Sequence, residues 1–341
     1  MEAVLSAVRP LAIELADASH VSAARMGVQG LARDLEFDET RSGRAAIAVT
    51  EAATNLLRHG GGGTLIARPL SRGSALGIEV LAIDSGPGMA NFEWSSFDGV
   101  STGGTQGTGL GAMQRQSDEF EVYTRRGAGT VVRMGFWNGE VAPDASAYEI
   151  GVVSVPKNGE TLNGDAWAVE MRDDGATFLV ADGLGHGPDA CRAASLAVES
   201  LHSRPTDTAI RILDLAHGRL RPTRGAAVAV MRDDLATGEL AFAGVGNIGA
   251  FIWEAAGNSR RAMVSHNGIV GHNVARSQEY RYPWPAGSLL IAHSDGLETH
   301  WEVARHAGLA ARHPSIIAAM LYREHSRKRD DVVVLVVRKR N

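Results

Sequence analysis

Aspartates at the ends of apolar runs, most with glycine close beside them, constrain this chain more than any other feature. One lies early, where the run from Leu76 to Asp84 closes in Asp84-Ser85-Gly86-Pro87-Gly88-Met89. A second group comes much later: Gly164-Asp165, then Ala181-Asp182-Gly183-Leu184-Gly185-His186-Gly187, then Ser294-Asp295-Gly296-Leu297, then Asp330-Asp331 before a terminal apolar run. An aspartate fixed at a strand end, with glycine behind it to turn the backbone sharply, puts a carboxylate at a sheet rim that a ligand can approach closely. Two such groups set far apart in sequence call for two sheets. At 341 residues the chain also exceeds the size at which one core keeps growing. Its 44% hydrophobic content is ample for two cores.

The periodicity that marks regular structure fails around Asn138-Gly139-Glu140-Val141-Ala142-Pro143-Asp144, which divides the chain into residues 1–138, a linker over 139–147, and residues 148–341. In the first part, the stretch from Asp38 to Arg58 predicts a helix with Asp38 as N-cap. Strand signals follow at Thr64 to Arg68, Leu76 to Asp84, Phe120 to Thr124 and Thr130 to Trp137, the last two joined by the glycine-containing turn Arg125 to Gly129. Beyond the linker, strands are expected at Glu149 to Ser154, Ala166 to Met171, Ala176 to Asp182, Ala226 to Arg232, Glu239 to Val245 and Ala250 to Glu254. Helices are expected at Asp189 to His202, Thr206 to Leu220 and Pro314 to Ser326. The fold class is α+β, with layered sandwiches in both parts.

Three elements of the first part carry chemistry in succession. Glu51, Asn55 and His59 are spaced by four and so share one helix face. Asn55 can supply an oxygen to magnesium while Glu51 orients or deprotonates an attacking hydroxyl. His59 either lines the same pocket or caps its helix. Asp84 can accept a hydrogen bond from an exocyclic base amine. The run Ser101 to Gly111 packs five glycines ahead of the helical pattern Leu110, Met113, Ser117, Phe120. Consecutive amides feeding a helix N-terminus make an anion site, so phosphates belong there.

In this order, Glu51-Ala-Ala-Thr-Asn55-Leu-Leu-Arg-His59, Asp84-Ser-Gly86-Pro-Gly88, Gly107-Thr108-Gly109-Leu110-Gly111 and Gly129-Thr130 resemble the gyrase, Hsp90, histidine kinase and MutL ATPase superfamily. The likeness is strongest to its RsbT-like branch of serine kinases that act on sigma-factor regulators. The resemblance implies a two-layer α/β sandwich binding ATP and Mg2+. It makes Glu51 the general base, Asn55 the magnesium ligand, Asp84 the adenine contact, Thr130 a second base-side contact, and Gly107 to Gly111 the cover over the phosphates.

The aspartates of the second part are hard oxygen donors, and no Cys or His cluster of zinc spacing competes with them. A pair of Mg2+ or Mn2+ ions on such residues can activate water for attack on a phosphoester. Pro156 to Glu160, Gly164-Asp165-Ala-Trp167, Asp182-Gly183, Ser294-Asp295-Gly-Leu and Asp330-Asp331 resemble the SpoIIE branch of the metal-dependent type 2C phosphatases, RsbX-like members above all. That resemblance implies a four-layer α-β-β-α sandwich. It makes Asp182 the bridge between two Mn2+ or Mg2+ ions, with the Gly183 carbonyl on one of them and Asp165, Asp295 and Asp330 completing the shell. Asn163 departs from the pattern by replacing a glycine, and the phosphate-binding arginine of the wider type 2C family has no counterpart in sequence.

Together these likenesses imply a bifunctional kinase and phosphatase in partner-switching signal transduction. Its expected partners are STAS-domain proteins of the anti-sigma antagonist or stressosome kind, together with a sigma-factor regulator or a second phosphatase. The alternative is a nucleotide-dependent regulator-binding module, without kinase activity, fused to an active phosphatase. A net charge of −5 and a pI near 6.2 supply no basic footprint, so neither nucleic acid nor an anionic membrane is an expected partner. Cys191 is the only cysteine, and the opening residues lack the pattern of a signal peptide, so a cytoplasmic protein is expected.

Overall fold

The computed structural model describes residues 10–89, 109–142, 144–255, 257–274 and 277–340. They form two compact units, Met1–Ala145 and Ser146–Asn341.

The first unit runs β1 (Leu11–Leu15), α1 (Ala18–Asp34), α2 (Glu39–Arg58), β2 (Gly63–Arg72), β3 (Ala75–Ile83), α3 (Gly109–Gln116), β4 (Glu119–Thr124) and β5 (Thr130–Trp137). The strands pair antiparallel in the order β1-β2-β3-β5-β4. Asp38 caps α2, its carboxylate accepting the Arg41 N–H at 2.7 Å. Ala45, Ala48, Val49, Ala52, Ala53 and Leu56 bury the inner face of that helix against Leu65, Ile78, Val80 and Phe136 of the sheet. The other sheet face is held differently: Glu79 is buried between Arg68 and Arg133, with N–O distances of 2.7 and 2.6 Å. Helix α3 stops at Gln116, short of the apolar spacing that continues to Phe120. Both the N–H and the hydroxyl of Ser117 return to the Met113 carbonyl, and Asp118 N–H already bonds Gly135 O in the sheet.

The second unit opens with β6 (Tyr148–Val155), β7 (Asp165–Arg172) and β8 (Gly175–Gly183), then α4 (Pro188–Ser203) and α5 (Ala209–Leu220). Strands β9 (Ala226–Asp234), β10 (Glu239–Val245), β11 (Gly249–Glu254) and β12 (Ser259–Ala262) follow. After the two-residue strands β13 (Gly268–Ile269) and β14 (Asn273–Val274) come β15 (Tyr280–Pro283), β16 (Leu289–His293), α6 (Pro314–His325) and β17 (Val332–Lys339). One sheet has the order β15-β10-β9-β8-β7 and the other β12-β11-β16-β17-β6. Phe178, Phe242, Trp284, Leu290 and Leu335 fill the space between them. Helices α4 and α5 cover the first sheet through Ala193, Ala197, Ile212 and Leu213, and α6 packs on β6 and β17, which makes the four layers α-β-β-α. Helix α5 starts at Ala209, later than the apolar pattern alone predicts, because Thr208 is still extended. No helix among the described residues is long and apolar enough to cross a membrane.

Candidate active sites

In the first unit, α2 holds Glu51 and Asn55 half-buried one turn apart, with small buried Ala48 and Ala52 beside them. Gly109, the first residue of α3, lies against both. A β-carbon added to it would stand 3.2 Å from Asn55 Nδ2 and 3.4 Å from Glu51 Oε2. A helix start thus meets a carboxylate and an amide side chain whose Oδ1 is 3.5 Å from the same point, where phosphate and a divalent cation can be held together. Leu110 packs against the core and Gly111 is buried, whereas Gly107 and Thr108 lie outside the described residues. His59 is exposed and ends α2, its backbone N–H donating to Asn55 O at 2.9 Å.

Asp84 stands just past β3 and is locked by backbone amides. Its Oδ1 accepts from Gly86 N–H at 2.8 Å and from Thr130 N–H at 3.1 Å, and its own N–H donates to Thr130 O at 2.9 Å. Thr130 Oγ1 lies 3.1 Å from Thr124 Oγ1, which in turn accepts the Met89 N–H at 2.9 Å. Gly88 has φ +63°, and a β-carbon there would lie 2.0 Å from Arg125 O, so only glycine lets this turn close on the β4–β5 hairpin. Gly86 is also closely packed, with a β-carbon 2.8 Å from the Gly60 Cα just past α2. These contacts bring Asp84, Gly86, Gly88 and Thr130 to one edge.

In the second unit, register does the work. Asp165 at the start of β7 pairs directly with Asp182 near the end of β8. Asn163 Oδ1 accepts the Asp165 N–H at 2.8 Å, so an asparagine turn stands in for the glycine of the family pattern. Gly183 lets α4 pack onto the strand end, because its β-carbon would lie 2.1 Å from Ala190 O. From the other sheet, Ser294 ties β16 to β17, its N–H donating to Val333 O at 3.1 Å and its hydroxyl accepting Val333 N–H at 3.0 Å. That clamp carries Asp295 and Asp331 on its two sides. Asp295 Oδ2 accepts from Asn247 Nδ2 at 2.7 Å, and Asp331 Oδ1 accepts the Lys157 N–H at 2.9 Å.

Asp182, Asp295 and Asp330 line a cleft of about 200 Å³ with Lys157, Asn247 and His186. His186 Nδ1 lies 2.8 Å from Glu160 Oε1, a carboxylate rather than backbone partner. Burial, then the charge of Asp182, holds the Asp165 carboxyl well above the usual range. Asp182 is pushed up to about 7 by burial, then by Asp295, Asp330 and Asp331. Burial raises Asp295 and Asp331 as well.

No three His, Cys, Asp or Glu side chains among the described residues close on a common point as they stand. Divalent metal fits the donor set nonetheless, since Asp165 Oδ2 and Asp331 Oδ2 are buried without any hydrogen-bond partner. Buried carboxylate oxygens left unpaired and pressed against like charges lack a cation. Sequence reasoning placed Lys157 and Glu160 in the Pro156 to Glu160 motif without giving them a role, and it did not single out Asn247. Gly246-Asn247, a small residue and an amide at a strand end, was the signal for Asn247.

The sequence matches the histidine kinase-like ATPase domain over residues 15–136 and the stage II sporulation protein E (SpoIIE) family over residues 172–340. It is similar to the serine/threonine-protein kinase RsbT of Bacillus subtilis (strain 168), 30% identical over 117 residues that make up 34% of this chain and 88% of that protein. It is also similar to the phosphoserine phosphatase RsbX of the same organism, 23% identical over 149 residues, 43% of this chain and 73% of that protein. Among solved structures, a chain from work on the bacterial stressosome as a modular system controlling secondary messenger signalling superposes with TM-score 0.52 at 32% identity, covering 56% of this chain and 99% of that one. RsbX in complex with magnesium superposes with TM-score 0.51 at 18% identity, covering 58% of this chain and 98% of that one, a likeness of fold.

Proposed function

Since the chain belongs to the histidine kinase-like ATPase family through its first unit and to the SpoIIE family through its second, we propose that it is a cytoplasmic bifunctional switch. It phosphorylates and dephosphorylates serine or threonine on STAS-domain proteins of the partner-switching kind. Glu51 is the general base toward the acceptor hydroxyl, Asn55 the magnesium ligand, and Asp84 with Thr130 the adenine side. Gly86 and Gly88 shape that side, and Gly107 to Gly111 cover the phosphates. The ATP and Mg2+ held there would supply the phosphoryl group and offset its charge.

In the second unit Asp165, Asp182, Asp295, Asp330 and the Gly183 carbonyl would hold two Mn2+ or Mg2+ ions, which supply an activated water for phosphoester attack. Asn247 orients Asp295 toward the cleft, and Asn163 fixes the backbone that aims Asp165. The reading is carried by the direct pairing of Asp165 with Asp182, a buried and a half-buried carboxylate that repel each other when both are ionised unless a cation lies between them.

The test uses the full chain with a STAS-domain protein and radiolabelled ATP. Glu51→Ala is expected to abolish phosphoryl transfer while nucleotide still binds, and transfer at the wild-type rate would overturn the kinase half. Asp182→Ala and Asp295→Ala are expected to abolish manganese-dependent release of phosphate from phosphoserine protein, and persistence in both would overturn the phosphatase half.

A further inference from the structure

We infer that Lys157 binds the phosphoryl group of the substrate in the cleft of the second unit. The inference rests on the phosphatase reading and supplies the anion-binding residue that the sequence pattern lacks. A phosphoserine side chain brings close to two negative charges. The cleft that would receive it is lined by Asp182, Asp295 and Asp330, with Asp165 and Asp331 buried beside them, five carboxylates in all when ionised. Two divalent cations would bring four positive charges against those five, so the pocket still lacks positive charge for a dianion. Arg327 already acts on Asp295 by its charge but does not line the cleft, so a further cation from the chain itself would make up the difference there.

Lys157 is the only lysine or arginine among the described residues that line the cleft. Its ammonium makes no ion pair among the described residues. Arg224 is the contrasting case. It reaches the rim beside Gly185, where a β-carbon would lie 3.2 Å from Arg224 Nη1, but its guanidinium is already engaged by Asp189 at 2.7 Å.

The backbone of Lys157 is pinned on both sides. Its N–H donates to the buried carboxylate of Asp331 at 2.9 Å, and its carbonyl accepts the Glu160 N–H at 2.9 Å, closing a turn. The main chain is thereby fixed to the carboxylate cluster while the half-buried side chain is left to the cleft. A flexible stem with a compact charge suits an anion that must arrive as a phosphoester and leave as free phosphate.

The test loads the full chain with Mn2+ and compares wild type with Lys157→Met, Lys157→Gln and Lys157→Arg. Three quantities are read: Mn2+ affinity by calorimetry, inorganic phosphate affinity by calorimetry and as a product inhibitor, and KM against kcat for a phosphoserine peptide. Removing a charge-assisted contact should weaken phosphate binding and raise KM by about 10- to 100-fold in the Met and Gln variants. Mn2+ affinity should stay within about 2-fold, kcat should change less than KM, and Arg should restore most of the loss. Phosphate affinity equal to wild type in either neutral variant, with Mn2+ still bound, would overturn the assignment. The calorimetric titration reads Lys157 even if the peptide is not hydrolysed, so a wild type without phosphatase activity would count against the proposed function and not against this site.

Discussion

Asp182 gives the second unit a pH dependence opposite to that of an ordinary structural carboxylate. Its carboxyl sits at about 7 instead of 3.8, raised first by burial and then by the charges of Asp295, Asp330 and Asp331. The folded chain without metal therefore keeps a proton that the unfolded chain gives up, and the stability this supplies is complete below pH 3.8 and lost as pH rises through 7. Over that whole interval the loss is ~4 kcal/mol, of which ~2 kcal/mol falls between pH 5.5 and 8. Asp165, Asp295 and Asp331 shift in the same direction and steepen the slope. Metal reverses the trend, because ions bind the ionised carboxylates and must displace protons, roughly one tenfold loss of affinity per pH unit below 7 for each proton displaced. The assay is urea denaturation of chelated protein from pH 5.5 to 8, followed through the buried Trp284 and Trp301, for wild type and Asp182→Asn. The asparagine variant should lose the part of the slope that belongs to this carboxyl. Equal slopes in the two proteins, or calorimetry showing no proton release when Mn2+ binds at pH 6, would refute the reasoning.

Two further outcomes follow from local geometry. Gly88→Ala forces a β-carbon to within 2.0 Å of Arg125 O at φ +63°, so the Asp84 turn must open, with ~1–3 kcal/mol lost from the first unit and ATP affinity lowered about 10-fold or more in a fluorescent-nucleotide titration. Asp233→Asn leaves Lys339 Nζ, now 3.0 Å from the carboxylate, buried without its counter-charge, and leaves one acceptor oxygen where Lys339 and Tyr148 OH now have two. Denaturation should register ~3–5 kcal/mol. The variant's phosphoserine kcat/KM at 25 °C should be unchanged while folded, because Asp233 is ~20 Å along β9 from Ala227, the residue paired with Asp182.

What the sequence makes legible is what has a local signature. Helix α2 is such a case, with an aspartate cap and twenty residues broken only by Gly43. Strand ends marked by Asp-Gly are another, because the same glycines that turn the chain admit a neighbouring element, as Gly183 admits α4. Helix α1 is obscured by Gly27, whose β-carbon would meet the Leu11 side chain at 2.4 Å, and by Gly30. Strand β12 is exposed at every residue and shows no alternation, and β13 and β14 are too short to show any. The site divides in the same way. Asp165 and Asp182 are each visible as a carboxylate at a turn, but their direct pairing belongs to the β7–β8 register. Lys157 and Asn247 come from separate connections, after β6 and before β11, and only the stacking of two sheets brings them to one cleft. Asp330 and Asp331 are adjacent and chemically alike, and in sequence only the family resemblance singles out Asp330. In the fold, one lines the cleft while the other is buried with one oxygen on the Lys157 amide and one unpaired.

That contrast between paired and unpaired carboxylates also separates the two sites in kind. Asp84 is aimed by Gly86 and Thr130 amides and by the turn they close, so its position is secured by bonds internal to the first unit. Asp165 and Asp182 are placed by the β-ladder against their own repulsion, and each remaining carboxylate of the cluster adds to it. The geometry of the first site thus belongs to the folded chain itself, and a nucleotide has little left to organise around Asp84. The geometry of the second, in the proposed function, is completed by cations that offset charges strand register has forced together. The residues least favourable to the fold are therefore the ones that define the cleft, and in the proposed function divalent metal is the component on which that unit's stability and its chemistry jointly depend.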